Sequence, residues 1–413
     1  MPVATLDRPS TGGYRSPRPC VRPPRTPPAS GRWRHAPGRS RVTVILALLT
    51  WGATGCGSRA STVVVTATPA TGTEPAPSAS SNRSTPSRDG SWRLDAREHV
   101  DLWLHGFALL QDDASLVPYF RPGYRASMAS VRRDTRGTFE AGREQLQQRL
   151  AATPSLISAQ FLALYFASWD DLRRGVERFL RDAGEVRAAR TPEELRMYAT
   201  IRTYFPTADD RDWLRRFVQG LDDERTRFYR GWWLQEQQRR AEVRAEVERL
   251  WSQQYRGGFT RFMRNSMQRD GAILLSLVLG GEGRTLAVGG RDNFVTVTFP
   301  ASPADAPQAM YVVAHEVVGT VANAAVRDNA SAADERSGDT ARWQTLAAVR
   351  GGAMLLQRVA PDLLPGYQRY YLSLARSAVP AGDPTAAFVT TFPLPDRIVT
   401  ALDRQIEMVL GGI

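Results

Sequence analysis

The fold turns on three consecutive stretches: Phe294-Val295-Thr296-Val297-Thr298-Phe299, a proline-bounded connection from Pro300 to Pro307, and Met310-Tyr311-Val312-Val313-Ala314-His315-Glu316-Val317-Val318-Gly319. Every residue of the first is β-branched or aromatic, the composition of a strand packed against neighbours. In the third, Met310, Val313, Ala314, Val317, Val318 and Val321 recur at intervals of three and four. That spacing makes one side of a helix apolar as far as about Asp328. Just upstream, Ala272 to Leu279 and Gly283 to Val288 are two more β-type runs, set apart by Gly280-Gly281-Glu282-Gly283 and Gly289-Gly290, which read as hairpin turns. A small sheet is therefore expected immediately before the apolar helix.

Working outward, the chain ahead of Asp270 reads as successive helices. Leu94 to Gln111 places Val100, Trp103, Leu104, Phe107, Ala108 and Leu110 at helical spacing. Thr191-Pro192-Glu193-Glu194 is a compact helix start, with threonine as N-cap, proline at the first position and glutamate at the third. A long helix is expected from Asp222 to about Tyr255, with Phe228, Trp232, Trp233, Val243, Val247, Leu250 and Trp251 inward and a face of arginine and glutamate outward. Behind the apolar helix follow three more, Thr340 to Val359, Pro361 to Leu374 with Tyr367, Tyr370 and Tyr371, and Pro395 to Leu410. The expected class is mainly α with a small β-sheet (α+β): a helical region over 91–220, then a strand-then-helix region with C-terminal helices over 221–413.

Chemistry enters at His315 and Glu316. In the pattern His-Glu-x-x-His on a helix, the i,i+4 spacing puts two imidazoles on one face to bind zinc, and the glutamate serves as base for the metal-bound water. Here Gly319 stands where the second histidine belongs. With the strand ahead of the helix and the helix behind it, the region resembles a zincin, of the gluzincin type in particular. That resemblance implies a third ligand from the downstream helix, in a Glu-Gly-x-Ala setting. The matching stretch is Arg350-Gly351-Gly352-Ala353, so Arg350 replaces the glutamate, and a guanidinium does not ligate zinc. On this alignment two of three ligand positions are lost, Arg350 forms an ion pair with Glu316, and the domain is non-catalytic with no cofactor.

A competing account keeps zinc. His315 remains a ligand, Glu316 the base, and carboxylates from Asp328, Asp334, Glu335 or Asp339, 13 to 24 residues downstream of His315, complete a nonstandard site. The chain holds only 4 histidines, among them His99 and His105, whose i,i+6 spacing does not share a helix face. A third account makes His315 and Glu316 incidental to a purely structural helical module. No Gly-x-Ser-x-Gly elbow, Walker-type glycine loop or glycosidase-like carboxylate pair is present.

Composition bears on localisation and partners. There is no lysine, so all 54 basic residues are arginine and the formal net charge is +12. Residues 1–55 carry 9 arginines against the single acid Asp7, which leaves 45 arginines against 41 acids in the rest. The near-balance of the body argues against nucleic acid as a partner. Val42 to Thr50 is an apolar run behind that arginine-rich stretch, the layout of a secretory signal peptide. Ala53-Thr54-Gly55-Cys56 then resembles the lipobox of bacterial lipoproteins, departing from it at Ala53, where leucine is usual. The resemblance implies cleavage before Cys56, a lipid anchor on that residue and residence in the cell envelope. With Gly57 and Ser58 following, an outer membrane is favoured where the organism has one. The only other cysteine, Cys20, lies in the part to be removed. Residues 56–90, rich in Ser, Thr, Pro and Ala, are expected to form a disordered tether. The body would then meet an unidentified protein or peptide partner.

Overall fold

The computed structural model describes residues 92–111, 120–132, 137–281, 283–287 and 293–412. The signal-peptide run, Cys56, the tether and the last residue of the second β-type run, Val288, lie outside the described residues.

Strand β1 (Arg93–Asp95) and helix α1 (Glu98–Leu110) open the body. They are followed by α2 (Tyr124–Val131), α3 (Thr138–Ala152), a 3-10 segment (Pro154–Tyr165) and α4 (Trp169–Arg181). Next come α5 (Pro192–Tyr204), α6 (Ala208–Glu224), α7 (Arg230–Arg239), α8 (Ala241–Arg249) and α9 (Arg256–Asn265). Strands β2 (Gly271–Ser276), β3 (Arg284–Ala287) and β4 (Asn293–Thr298) precede α10 (Pro307–Asn329). The chain ends with α11 (Ala332–Ser337), α12 (Asp339–Val359), α13 (Leu364–Leu374), α14 (Thr385–Thr391) and α15 (Asp396–Gly411). The protein is mainly helical with one small sheet.

The four strands lie in the order β1-β2-β4-β3. β1, β2 and β4 run parallel, and β3 lies antiparallel to β4 at the edge. Ala272 to Leu275 are all buried, as expected of a parallel strand covered on both faces. A Cβ at Gly271 would collide with the Asn293 carbonyl, so only glycine lets β2 and β4 start side by side.

Two expectations are corrected here. The first helix does not begin at Leu94: Arg93 to Asp95 pair with Ala272 to Leu274, and the helix starts three residues later, where the Asp95 carboxylate accepts from Ala96 N–H at 2.9 Å. The helix expected from Asp222 to Tyr255 is not a single rod. The chain passes from α6 through a π-turn (Arg225–Tyr229) into α7, breaks at Arg240 (φ −103°, ψ 14°), and passes through a second π-turn (Leu250–Tyr255) into α9. Tertiary contact accounts for the break, since the Arg240 guanidinium donates to the Pro300 carbonyl at 2.9 Å and lies over Phe299.

Other starts follow the sequence directly. Thr191 Oγ1 accepts from Glu194 N–H at 3.1 Å to cap α5, and Thr207 with Asp210 forms a reciprocal capping box on α6. α10 is long and apolar enough to cross a membrane by length and composition. Its stripe, from Met310 to Val321, is nevertheless buried within this fold, against β4, α12 and α15.

Candidate functional site

α10 carries His315 and Glu316 beneath α13. The His315 ring lies 5.3 Å from that of Tyr371, which in turn stacks near Tyr367 (4.7 Å) and Tyr370 (5.3 Å). Tyr311, one turn before His315, closes the group at 6.2 Å from Tyr367 and 5.8 Å from Tyr370. The tyrosines were legible as core from their i, i+3, i+4 spacing; that they roof His315 was not, because the pairing of α10 with α13 leaves no local signal. His315 Nδ1 faces Glu316 Oε1 at 3.4 Å, and both side chains are only about a tenth exposed, at 12% and 11%.

α12 crosses α10 beside the position of interest, for a Cβ on Gly351 would touch Val318 at 3.2 Å. Gly319 itself faces open space, with nothing within 4 Å of a Cβ built there. Gly319→Ala should therefore stabilise the fold by about 0.5–1 kcal/mol, because a mid-helix glycine is replaced with no neighbour to disturb. A rise in urea midpoint checks it; a fall would show that the glycine serves some contact.

Arg350 takes a partner other than the one its alignment implies. Its Nη1 donates to the Phe392 carbonyl at 3.3 Å. That acceptor stands at the C-terminal end of α14. Burial pulls the Arg350 guanidinium below its usual value.

The acids proposed as alternative ligands are dispersed. Asp328 lies on the same helix as His315 and 13 residues on, about 20 Å along the axis at the standard rise. Asp334 accepts from Ser331 to cap α11 and from Arg397 at 2.9 Å. Asp339 accepts from Ser337 Oγ at 2.8 Å, and Glu335 is exposed. Among the described residues no three His, Cys, Asp or Glu side chains come together as a metal site. The zinc implied by the zincin resemblance does not fit: His315 offers one nitrogen, Gly319 none, and Arg350 is a cation turned elsewhere.

The other two body histidines sit in α1, both buried but on different sides of it. His99 Nε2 lies 2.9 Å from the Phe166 carbonyl, and burial lowers its pKa to about 4. His105 is fully buried between Tyr124 Oη (2.9 Å from Nδ1) and Glu224 Oε1 (3.3 Å from Nε2), and burial lowers its pKa too. On the same helix face as His105, Asp101 accepts from Ser276 Oγ (2.6 Å), Trp233 Nε1 (2.9 Å) and Leu277 N–H (3.2 Å). Sequence reading missed this shared face, although Asp101 and His105 at i,i+4 on an apolar helix were the available sign.

A cleft of about 460 Å³ opens where the first turns of α10 meet α13, lined among others by Asp305, Gln308, Tyr311, Arg369 and Tyr370. A Cβ on Gly366 would strike the Tyr311 hydroxyl, so glycine there lets α13 approach. No family model, curated protein or solved structure matches this chain.

Proposed function

We propose that this chain is a lipid-anchored cell-envelope protein whose zincin-like body binds a partner and performs no metal-dependent catalysis. The observation that carries the reading is the incomplete ligand set on α10, one histidine with a glycine at i+4 and, among the described residues, no third ligand gathered beside it. The strand-then-helix order, with β4 leading into α10 and α12 packed across it, supports the architectural resemblance. For binding, the cleft beside Tyr311, Arg369 and Tyr370 offers the aromatic and arginine side chains that dominate recognition surfaces.

Elemental analysis of the purified protein, with and without His315→Ala, tests the central point. Substoichiometric zinc unaffected by the substitution is the expected result. One zinc per chain, lost in His315→Ala, would establish the metallopeptidase reading in its place. The anchor is tested separately by the mass of the mature amino terminus from membranes, where a diacylated Cys56 is expected and an unmodified, uncleaved chain would refute it.

A further inference from the structure

From Leu250 to Arg269 the chain holds four arginines, Arg256, Arg261, Arg264 and Arg269, and no acid. Arg261 and Arg264 share the exposed face of α9, three residues apart, while Phe259, Phe262 and Met263 pack inward. Arg269 is exposed just beyond, and Arg93 is exposed on β1, whose register sets it beside Ala272. Among the described residues, Arg93, Arg261, Arg264 and Arg269 are exposed and none is held in an ion pair, whereas Arg132, Arg149, Arg225 and Arg358 each are. Asp270, the acid nearest in sequence, has its Oδ1 buried.

Between Arg264 and Arg269 stands Met267, 71% exposed and the most exposed large apolar side chain among the described residues. It is held there. Its φ of +66° is a left-handed conformation unfavourable for a side-chain-bearing residue, and the turn is fixed by Gln268 N–H to the Met263 carbonyl at 2.6 Å. The Gln268 amide also donates to the Val317 carbonyl of α10 at 3.2 Å, so the turn is pinned to the core. The same turn receives the start of the body: Trp92 Nε1 donates to the Gln268 carbonyl at 3.0 Å, and Trp251 Nε1 donates to the Trp92 carbonyl at 3.0 Å.

We infer that this face docks on an anionic phospholipid surface, with Arg93, Arg261, Arg264 and Arg269 on headgroup phosphates and Met267 entering the acyl boundary. Both features need the same occupant. A phosphate polymer would satisfy the guanidinium groups and leave Met267 in water, whereas a bilayer accepts the charge at its surface and the thioether just beneath. The inference is strengthened by, and rests in part on, the proposed anchor, since the chain leading from Cys56 joins the body at Trp92, against this turn.

The test uses the full chain carrying Cys56→Ser, so that no acyl chain contributes, in co-sedimentation with phosphatidylglycerol-containing and pure phosphatidylcholine vesicles. The arginines of residues 1–55 contribute equally to every variant. Partition onto the anionic vesicles should fall about fivefold for each arginine removed in Arg261→Gln, Arg264→Gln and Arg269→Gln, roughly a hundredfold for the three together. Met267→Ser should lower it severalfold, while the charge-matched set Arg187→Gln, Arg190→Gln and Arg196→Gln should lower it much less. Equal partition of all variants, an equal fall in the control set, or a parent that binds duplex DNA and not the vesicles would overturn the proposal. The anchor is judged apart: an acylated Cys56 with no effect of these substitutions sinks the docking alone, and an unmodified Cys56 with the full effect sinks the anchor alone.

Discussion

Glu224→Ala should cost the folded state about 3–5 kcal/mol, the scale of loss seen when one partner of a buried ion pair is removed. Glu224 ends α6 with no exposed surface, approached by Arg132 through Nη2 at 2.8 Å and Nε at 2.6 Å and by His105 Nε2 at 3.3 Å. Burial by itself would raise the pKa of this carboxyl, but the His105 hydrogen bond and the Arg132 charge outweigh it and hold the group below its usual range. His105 is neutral, since burial depresses its pKa. Its Nε2–H then donates to the carboxylate and its Nδ1 accepts from the Tyr124 hydroxyl. Alanine at 224 would leave the Arg132 guanidinium, only 9% exposed, with the more distant Glu140 at 3.5 Å as its remaining carboxylate, and leave the imidazole N–H without an acceptor. Glu224→Gln keeps an acceptor and loses only the charge, so its cost should be smaller. Urea unfolding of the two variants measures both. A loss under about 1 kcal/mol for alanine would mean that water reaches the pair.

Why some of this was legible and some not follows from the range of the forces. The stripe of α10, the cap at Thr191 and the apolar runs of β2 and β4 are written in residues three, four or two apart; the structure has β4 within one residue of its expected bounds, while β2 ends at Ser276, three residues short of the expected Leu279. β1 escaped because three residues pairing in parallel with Ala272 to Leu274, some 180 positions away in the chain, leave no periodicity of their own. The break at Arg240 depends on Pro300 and Phe299, equally remote. At the candidate site the sequence supplied the ligand count, because a missing imidazole at position 319 is a fact of composition. The environment of His315 came from α13, and the orientation of Arg350 from α14, through contacts between helices that no local pattern encodes.

Asp101 offers the sharpest pH signature. Its carboxyl ties α1 to α7 and to the end of β2 through Trp233, Ser276 and Leu277, at 1% exposure. Burial pushes its pKa from 3.8 up to about 6, even though those three donors and the Arg121 charge pull the other way. The sign follows. Below about pH 4 the carboxyl is protonated in both states, and its contribution to stability is fully present. As pH rises toward about 6, the unfolded chain gives up the proton while the folded one retains it, and stability falls by roughly 3 kcal/mol in total. Asp101→Asn cannot titrate, so the variant should lack this descent, whatever constant offset its Nδ2 introduces against the Leu277 N–H. Measured as the difference in unfolding free energy between parent and variant, other groups in the same range cancel, including His99 with its pKa near 4. That difference should shift by roughly 3 kcal/mol in favour of the variant between about pH 4 and 6, then level off. A flat difference across the window would mean that the Asp101 carboxyl ionises inside the fold as readily as in water, and that its three donors and Arg121 fully offset its burial.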